Sequence, residues 1–244
     1  MKIKRLILLS LFIGIIFSGC STIEKYKLEQ KQLAPPNENT VHVALDRHQD
    51  CDTSSFKIKE YFSADTTKGN ISLAAGSTIN VRYIGINCPE SMGQVEYLGP
   101  EASEFTEQQL LSSEEIILEI DGNAIFDNHS RLLAHVFVDG ESLQKKILEK
   151  GYGKTAYLYD EYKYIDEYRA AEDQARASRL NIYSIDGYAT KDTNGYNMDV
   201  VKPEDLARES LSDLEENFEK KLIDKAVDVL TENLFQIQLI ARSH

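Results

Sequence analysis

The sequence predicts an α+β, mostly β domain followed by one long amphipathic helix, and three observations carry that expectation. Short runs rich in β-branched and aromatic residues recur between turn signals, at residues 41–45, 78–86, 116–120 and 131–138. Stretches with helical spacing of apolar positions alternate with them or follow them, at residues 101–111, 141–150 and 162–177. Near the end, Leu211, Leu214, Phe218, Leu222, Ala226, Val229, Leu230, Leu234 and Ile237 recur at helical spacing, the stripe of a single amphipathic helix. A chain of 244 residues with 42% hydrophobic content is long enough and apolar enough for one cored domain plus extensions.

The elements follow in order. Lys2, Lys4 and Arg5 precede an apolar run, residues 6–17, that is short for a membrane span. Phe17-Ser18-Gly19-Cys20 then resembles a bacterial lipoprotein signal, with Phe17 standing where leucine is usual. Residues 1–19 read as a signal peptide and Cys20 as the lipidated residue; an ordinary signal peptide or an uncleaved anchor is the alternative. Residues 20–40 read as a polar tether containing Pro35-Pro36, and the protein is expected on the outer face of a bacterial membrane.

Residues 41–45 alternate as a first strand, and 56–58 follow as another. Between them lies Asp50-Cys51-Asp52-Thr53, for which an Asx-turn is the simplest local reading. Residues 63–70 read as an elongated turn. The central stretch is Val81-Arg82-Tyr83-Ile84-Gly85-Ile86-Asn87-Cys88-Pro89-Glu90, a buried strand that Pro89 stops. Arg82 shares a face with Ile84 and Ile86, so its guanidinium must find an anion. A desolvated fork of donors, a turn with amide and carbonyl oxygens, and the carboxylate of Glu90 together suggest a phosphate and metal site.

Pro100 opens a helix over residues 101–111. A strand at 116–120 turns at Asp121-Gly122. The strand 131–138 begins at Arg131, and its alternate residues are apolar on both faces. For either arginine alone an ordinary ion pair is the commoner role. Residues 141–150 form a helix ended by Gly151. Tyr157 and Tyr159 fall on a loop or short strand before the last helix of the domain, 162–177. Residues 185–202 read as a Gly-, Asn- and Asp-rich linker and 203–242 as the helical tail, with Ser212 and Glu215 as a candidate capping box. The tail either packs on its own domain, self-associates or binds a protein partner; its acidic polar face argues against a membrane surface.

Four segments in order resemble the staphylococcal nuclease (thermonuclease) family. The central stretch matches its Arg-x-x-x-x-Asp-x-Pro-Glu pattern, with Asn87 in place of the aspartate. Leu98-Gly99-Pro100-Glu101-Ala102 matches its Gly-Pro-Glu-Ala helix start, Ser130-Arg131-Leu132-Leu133-Ala134 its second-arginine strand, and residues 151–184 its closing segment. Spaced motifs in order are more specific than any one of them. The resemblance spans residues 41–184 and implies a five-stranded OB-type β-barrel with about three helices. It also implies a calcium-dependent endonuclease that cuts DNA, with RNA as a second substrate, at the P–O5′ bond. By the same resemblance Arg82, Glu90 and Arg131 are catalytic, Asp52, Asn87 and the Cys88 carbonyl hold Ca2+, and Tyr157 and Tyr159 contact the nucleotide. Asp50-Cys51-Asp52-Thr53 stands for the family's Asp-Gly-Asp-Thr loop, although the 30 residues from Asp52 to Arg82 exceed its usual hairpin and leave Asp65 as an alternative ligand. The family's Lys-Tyr pair before the second arginine is replaced by His129-Ser130 or Asn128-His129.

Charge supports a second reading. The net charge is −13, and removing Lys2, Lys4 and Arg5 with the leader takes it to −16, the opposite of a basic nucleic-acid footprint. Together with Asn87, this favours a catalytically weak module that binds nucleic acid or a protein partner. No zinc spacing, P-loop or nucleophile elbow competes with the nuclease pattern. Once Cys20 is lipidated, Cys51 and Cys88 remain, either as two free thiols or as a disulfide that pins the two ligand loops.

Overall fold

The structure, a computed structural model, describes residues 39–121 and 125–205. The chain divides into two compact units, Met1–Tyr196 and Asn197–His244. Of the second, the described part contains one 3-10 turn, Met198–Val200. The leader, Cys20, most of the tether, the Asp121-Gly122 turn in part and the helical tail beyond residue 205 lie outside the described residues.

The first unit is built on a closed five-stranded barrel, as the resemblance implied. Strands β1 (Thr40–Asp50) and β2 (Thr53–Ile58) form a hairpin, and β3 (Phe62–Thr66) and β4 (Gly69–Leu73) form a second one beside it. Strands β5 (Thr78–Tyr83) and β6 (Ile86–Asn87) follow, then helix α1 (Gly99–Ser112). Strands β7 (Ile116–Glu119), β8 (Leu132–Val138) and β9 (Glu141–Ser142) lead into α2 (Leu143–Lys150), β10 (Lys154–Thr155) and α3 (Ile165–Ala177). The barrel order is β5-β2-β1-β7-β8, closed by a parallel pairing of β5 with β8. Val43, Phe56, Val81, Leu118, Leu132, Ala134 and Val136 are buried in the barrel, while α2 and α3 contribute Leu143, Ile147, Tyr168 and Ala171 to the same core. Register shifts between Leu45 and Arg47 and between His48 and Asp50 bend the end of β1 toward the Asp50–Asp52 turn.

Three local expectations change. Residues 63–70, expected as an elongated turn, belong to the β3–β4 hairpin, whose turn is only Thr67-Lys68. Phe62 faces Leu73 and Ala64 faces Ile71, burying one side, while Ser and Asp on the other side made the stretch look like loop. The central stretch is not one strand. Gly85, at φ 79°, separates β5 from β6, and β6 pairs with β10 instead of extending the barrel. A side chain at Gly85 would meet Ile165 Cδ1 at 2.8 Å, so the approach it permits is that of α3. Finally, residues 185–196, expected as linker, pack on the barrel unit: Tyr188 is fully buried, and its hydroxyl donates to Tyr97 O at 2.6 Å.

Candidate active site

The Asp50–Thr53 turn and the segment after β6 meet at a disulfide between Cys51 and Cys88, whose Cα atoms are 5.9 Å apart. The same junction is tied by Asp52, whose Oδ2 accepts the Cys88 N–H at 3.0 Å. Helix α1 secures the turn from outside, Thr106 Oγ1 donating to Cys51 O at 3.0 Å.

Arg82 is the anion-seeking group the sequence called for, and it is only 8% exposed. It lies opposite Thr53 in the β2–β5 register, which brings its guanidinium to Asp52. Its NH2 is 2.9 Å from Asp52 Oδ2 and donates to Asn87 Oδ1 at 2.9 Å, while NH1 donates to Tyr83 O at 3.2 Å. Arg131, just before β8, reaches the same cleft from the neighbouring strand. Its Nε donates to Asp127 Oδ2 at 2.7 Å and its NH1 to Thr53 Oγ1 at 3.3 Å. The parallel pairing of β5 with β8, in which Arg82 lies opposite Leu133, two residues from Arg131, brings both arginines to one cleft.

Glu90 stands where α1 begins. Its N–H donates to Glu96 Oε2 at 3.0 Å, and its carbonyl lies where a side chain on Gly99 would sit, 2.1 Å from the ideal Cβ. Partial withdrawal from water, the charges of Asp50 and Asp52 and a hydrogen bond with Asp50 push the Glu90 carboxyl up to about 6. Glu96 is raised as well, first by burial. The cleft is thus lined by three carboxylates, Asp50, Asp52 and Glu90, and by two guanidinium groups, Arg82 and Arg131. The whole cleft encloses about 580 Å³.

Two aromatics close one wall. Tyr157 is 39% and Tyr159 78% exposed, with ring centroids 6.2 Å apart. The Arg82 guanidinium carbon lies 5.6 Å from the Tyr157 ring centroid. Tyr157 adopts φ 56°, rare for a bulky residue, and its N–H donates to Asn194 Oδ1 at 3.1 Å.

Arg82, Glu90, Arg131, Asp52, Asn87, Tyr157 and Tyr159 all line this cleft. Cys88 lies beneath it in the disulfide, 3% exposed. Asp65 does not line the cleft; it is exposed on β3, accepting from Asn70 Nδ2 at 2.8 Å. Sequence reasoning missed Asp127, Glu96 and Asn194. Asp127 had a signal, its place four residues before Arg131 in a polar loop; its Oδ1 also accepts the His129 N–H at 2.9 Å. Glu96 and Asn194 had none.

The donor chemistry fits a hard cation. Carboxylates, an amide oxygen and peptide carbonyls are the oxygen ligands calcium takes. The elevated Glu90 carboxyl marks a place where negative charge is crowded. Among the described residues no three His, Cys, Asp or Glu side chains are already gathered as a metal cage, and Asp52 and Asn87 each meet Arg82 NH2 at 2.9 Å.

Comparison with known proteins agrees with this geometry. Residues 80–185 match the staphylococcal nuclease homologue family. The chain is 34% identical over 181 residues to endonuclease YncB of Bacillus subtilis (strain 168), covering 71% of this chain and 77% of that protein. It is 36% identical over 154 residues to the SPbeta prophage-derived endonuclease YokF of the same organism, covering 62% of this chain and 46% of YokF. It is also 31% identical over 112 residues to the thermonuclease of Staphylococcus hyicus, covering 45% of this chain and 65% of that protein. A closed five-stranded barrel, two arginines brought to one cleft by adjoining strands and this degree of identity lead to one conclusion: the chain belongs to the staphylococcal nuclease family.

Proposed function

We propose that this protein is an endonuclease, a calcium-dependent phosphodiester hydrolase acting on DNA, and on RNA as a second substrate, at the P–O5′ bond. The observation that carries the reading is the convergence of Arg82, Arg131 and Glu90 on one aromatic-walled cleft. Arg82 and Arg131 present guanidinium donors to the non-bridging oxygens of the scissile phosphate, where negative charge grows as the pentacoordinate state forms. Arg131, the more exposed of the two, makes the first contact, and Arg82 shares its donors between Asp52, Asn87 and phosphate. Glu90, whose carboxyl holds a proton more readily than an ordinary glutamate, accepts the proton of the attacking water. Water adds to phosphorus as Glu90 takes its proton, the P–O5′ bond breaks, and the 5′ oxygen leaves with the bonding pair and takes a proton from solvent. Tyr157 and Tyr159 offer ring faces to bases, a sequence-tolerant way to hold a strand. Asp52, Asn87 and the Cys88 carbonyl would hold Ca2+, with Asp50 beside them. Bound there, calcium supplies a Lewis acid and a counter-charge to the crowded carboxylates.

The expected outcome is nicking of plasmid and single-stranded DNA by the purified mature protein with calcium, and none with chelator. Binding without cleavage would favour the weak-module reading. We also propose that residues 1–19 direct export and that Cys20 carries lipid, holding the enzyme on the outer face of the membrane. Cys20→Ser should move the protein from the detergent phase to the aqueous phase; an unchanged distribution would contradict the anchor.

A further inference from the structure

Residues 188–196 lie beyond the family match, which ends at residue 185, yet they touch the cleft at two functional positions. Asn194 is the point of contact. Its backbone carbonyl accepts from Asn87 Nδ2 at 3.0 Å, and its side-chain Oδ1 accepts the Tyr157 N–H at 3.1 Å. Tyr196 adds a third tie, its hydroxyl donating to Asn87 O at 2.6 Å.

The segment is itself firmly held. Lys154, fully buried at β10, spends all three ammonium donors on it: Thr190 O at 3.0 Å, Thr193 O at 2.8 Å and Gly195 O at 2.6 Å. Arg176 of α3 donates to Ala189 O at 2.7 Å. These ties bracket Asn194 on both sides, so its position is fixed by the barrel unit and not by its own exposed side chain.

We propose that residues 188–196 are an active-site strap and that Asn194 is a positioning residue for nucleic-acid substrate, acting through Asn87 and Tyr157. This rests on the nuclease reading above. The strap accounts for the amide at position 87. Asn87 accepts from Arg82 through Oδ1 and donates to the Asn194 carbonyl through Nδ2, two roles an amide fills and an ionised carboxylate does not. A carboxylate there would set two acceptors against each other. The strap also holds Tyr157 in the left-handed region, a conformation a tyrosine keeps only when its surroundings enforce it. With that backbone fixed, the ring stands by Arg82, where a base stacked on it would carry its phosphate toward the guanidinium.

The test uses the full chain and two variants. Asn194→Ala removes the acceptor for Tyr157 N–H; Asn194→Asp keeps an acceptor oxygen in the same place. A fluorescent single-stranded DNA pentamer is titrated in chelator to read binding, then in calcium to read KM and kcat. Amide hydrogen exchange is followed on the peptide containing residues 155–159. Asn194→Ala should raise Kd and KM about tenfold, the worth of one hydrogen bond of about 1.4 kcal/mol, with kcat changed less. Exchange at Tyr157 should quicken, and Asn194→Asp should restore both. Wild-type binding that Asn194→Ala leaves unaltered, with slow exchange retained, would overturn the strap alone. Failure of the wild-type protein to bind or cut the pentamer would overturn the nuclease reading, and the strap's substrate role with it.

Discussion

Asp127 holds Arg131 at both ends: Oδ1 accepts the Arg131 backbone N–H at 2.9 Å, and Oδ2 accepts from Nε at 2.7 Å with NH2 also 2.7 Å away. Burial alone would raise the Asp127 carboxyl, but the hydrogen bonds from Arg131 and His129 outweigh it and leave it below the ordinary aspartate range. A depressed acid contributes stability that is present above its unfolded value, about 3.9, and lost as pH falls through the folded one. Asp127→Asn should therefore flatten the fall in melting temperature on the acid side. It should also lower kcat/KM at neutral pH roughly tenfold, by loosening the guanidinium that meets phosphate. Unchanged kinetics would show that Thr53 alone suffices to aim Arg131.

Removing Arg82 should have two separable effects. Activity should fall about a hundredfold or more, the usual loss for one transition-state donor. Asp52, 7% exposed, would also be left as a buried charge without its partner, a loss of about 3–5 kcal/mol. Calcium should then raise the melting temperature of Arg82→Ala by more than it raises that of wild type, since the cation replaces the missing positive charge. Equal shifts in scanning calorimetry would argue that Asp52 is no calcium ligand.

Gly99→Ala tests how Glu90 is placed. The added methyl would sit 2.1 Å from the Glu90 carbonyl oxygen, so the backbone bearing the proposed base must move. We expect kcat to drop about a hundredfold, in keeping with the sensitivity of proton transfer to an ångström of misplacement. Binding of single-stranded DNA should change little. An active Gly99→Ala enzyme would show that Glu90 is not positioned by α1.

The Cys51–Cys88 bridge gives a direct chemical test. Neither thiol should be alkylated in the unreduced protein. Replacing both by serine should cost roughly 4 kcal/mol of stability on a chain-entropy estimate for a loop of this length. Full alkylation of both cysteines without reductant would contradict the bridge.

Lys154→Met keeps the length of the side chain and removes the ammonium. Three carbonyls of the strap lose their common donor, so the strap should become susceptible to proteolysis between residues 188 and 196. Stability should fall by at least about 2 kcal/mol. Resistance to limited proteolysis equal to that of wild type would place the holding force elsewhere, on Arg176 and Tyr188.

Much of this arrangement was legible in the residues. The barrel strands announce themselves by β-branched runs, and Arg82 by being the one ion on an apolar stretch. What stayed hidden did so for physical reasons. In the β3–β4 hairpin, Ser63, Asp65, Asn70 and Ser72 occupy the outward positions, so a half-buried hairpin carries the composition of a loop. The strap is bound largely through its backbone carbonyls, which every residue possesses, so no side-chain pattern distinguishes it from a linker. The disulfide stayed open because neighbouring loops do not fix the direction in which two cysteines point.

The pairing that closes the barrel has a further consequence. Strands β5 and β8 are far apart in the chain, and Arg82 and Arg131 sit on or beside the residues that join them. Forming that contact closes a long loop, from Val81 to Leu132, so it belongs to the cooperative completion of the fold and not to any early local hairpin. The two guanidinium groups therefore come together only in the finished molecule. A partly folded chain holds the arginines apart, and hydrolytic competence arrives with structural completion. The same linkage runs backward. An oligonucleotide that binds both arginines should slow hydrogen exchange throughout all five strands, reporting on the closure of the entire barrel.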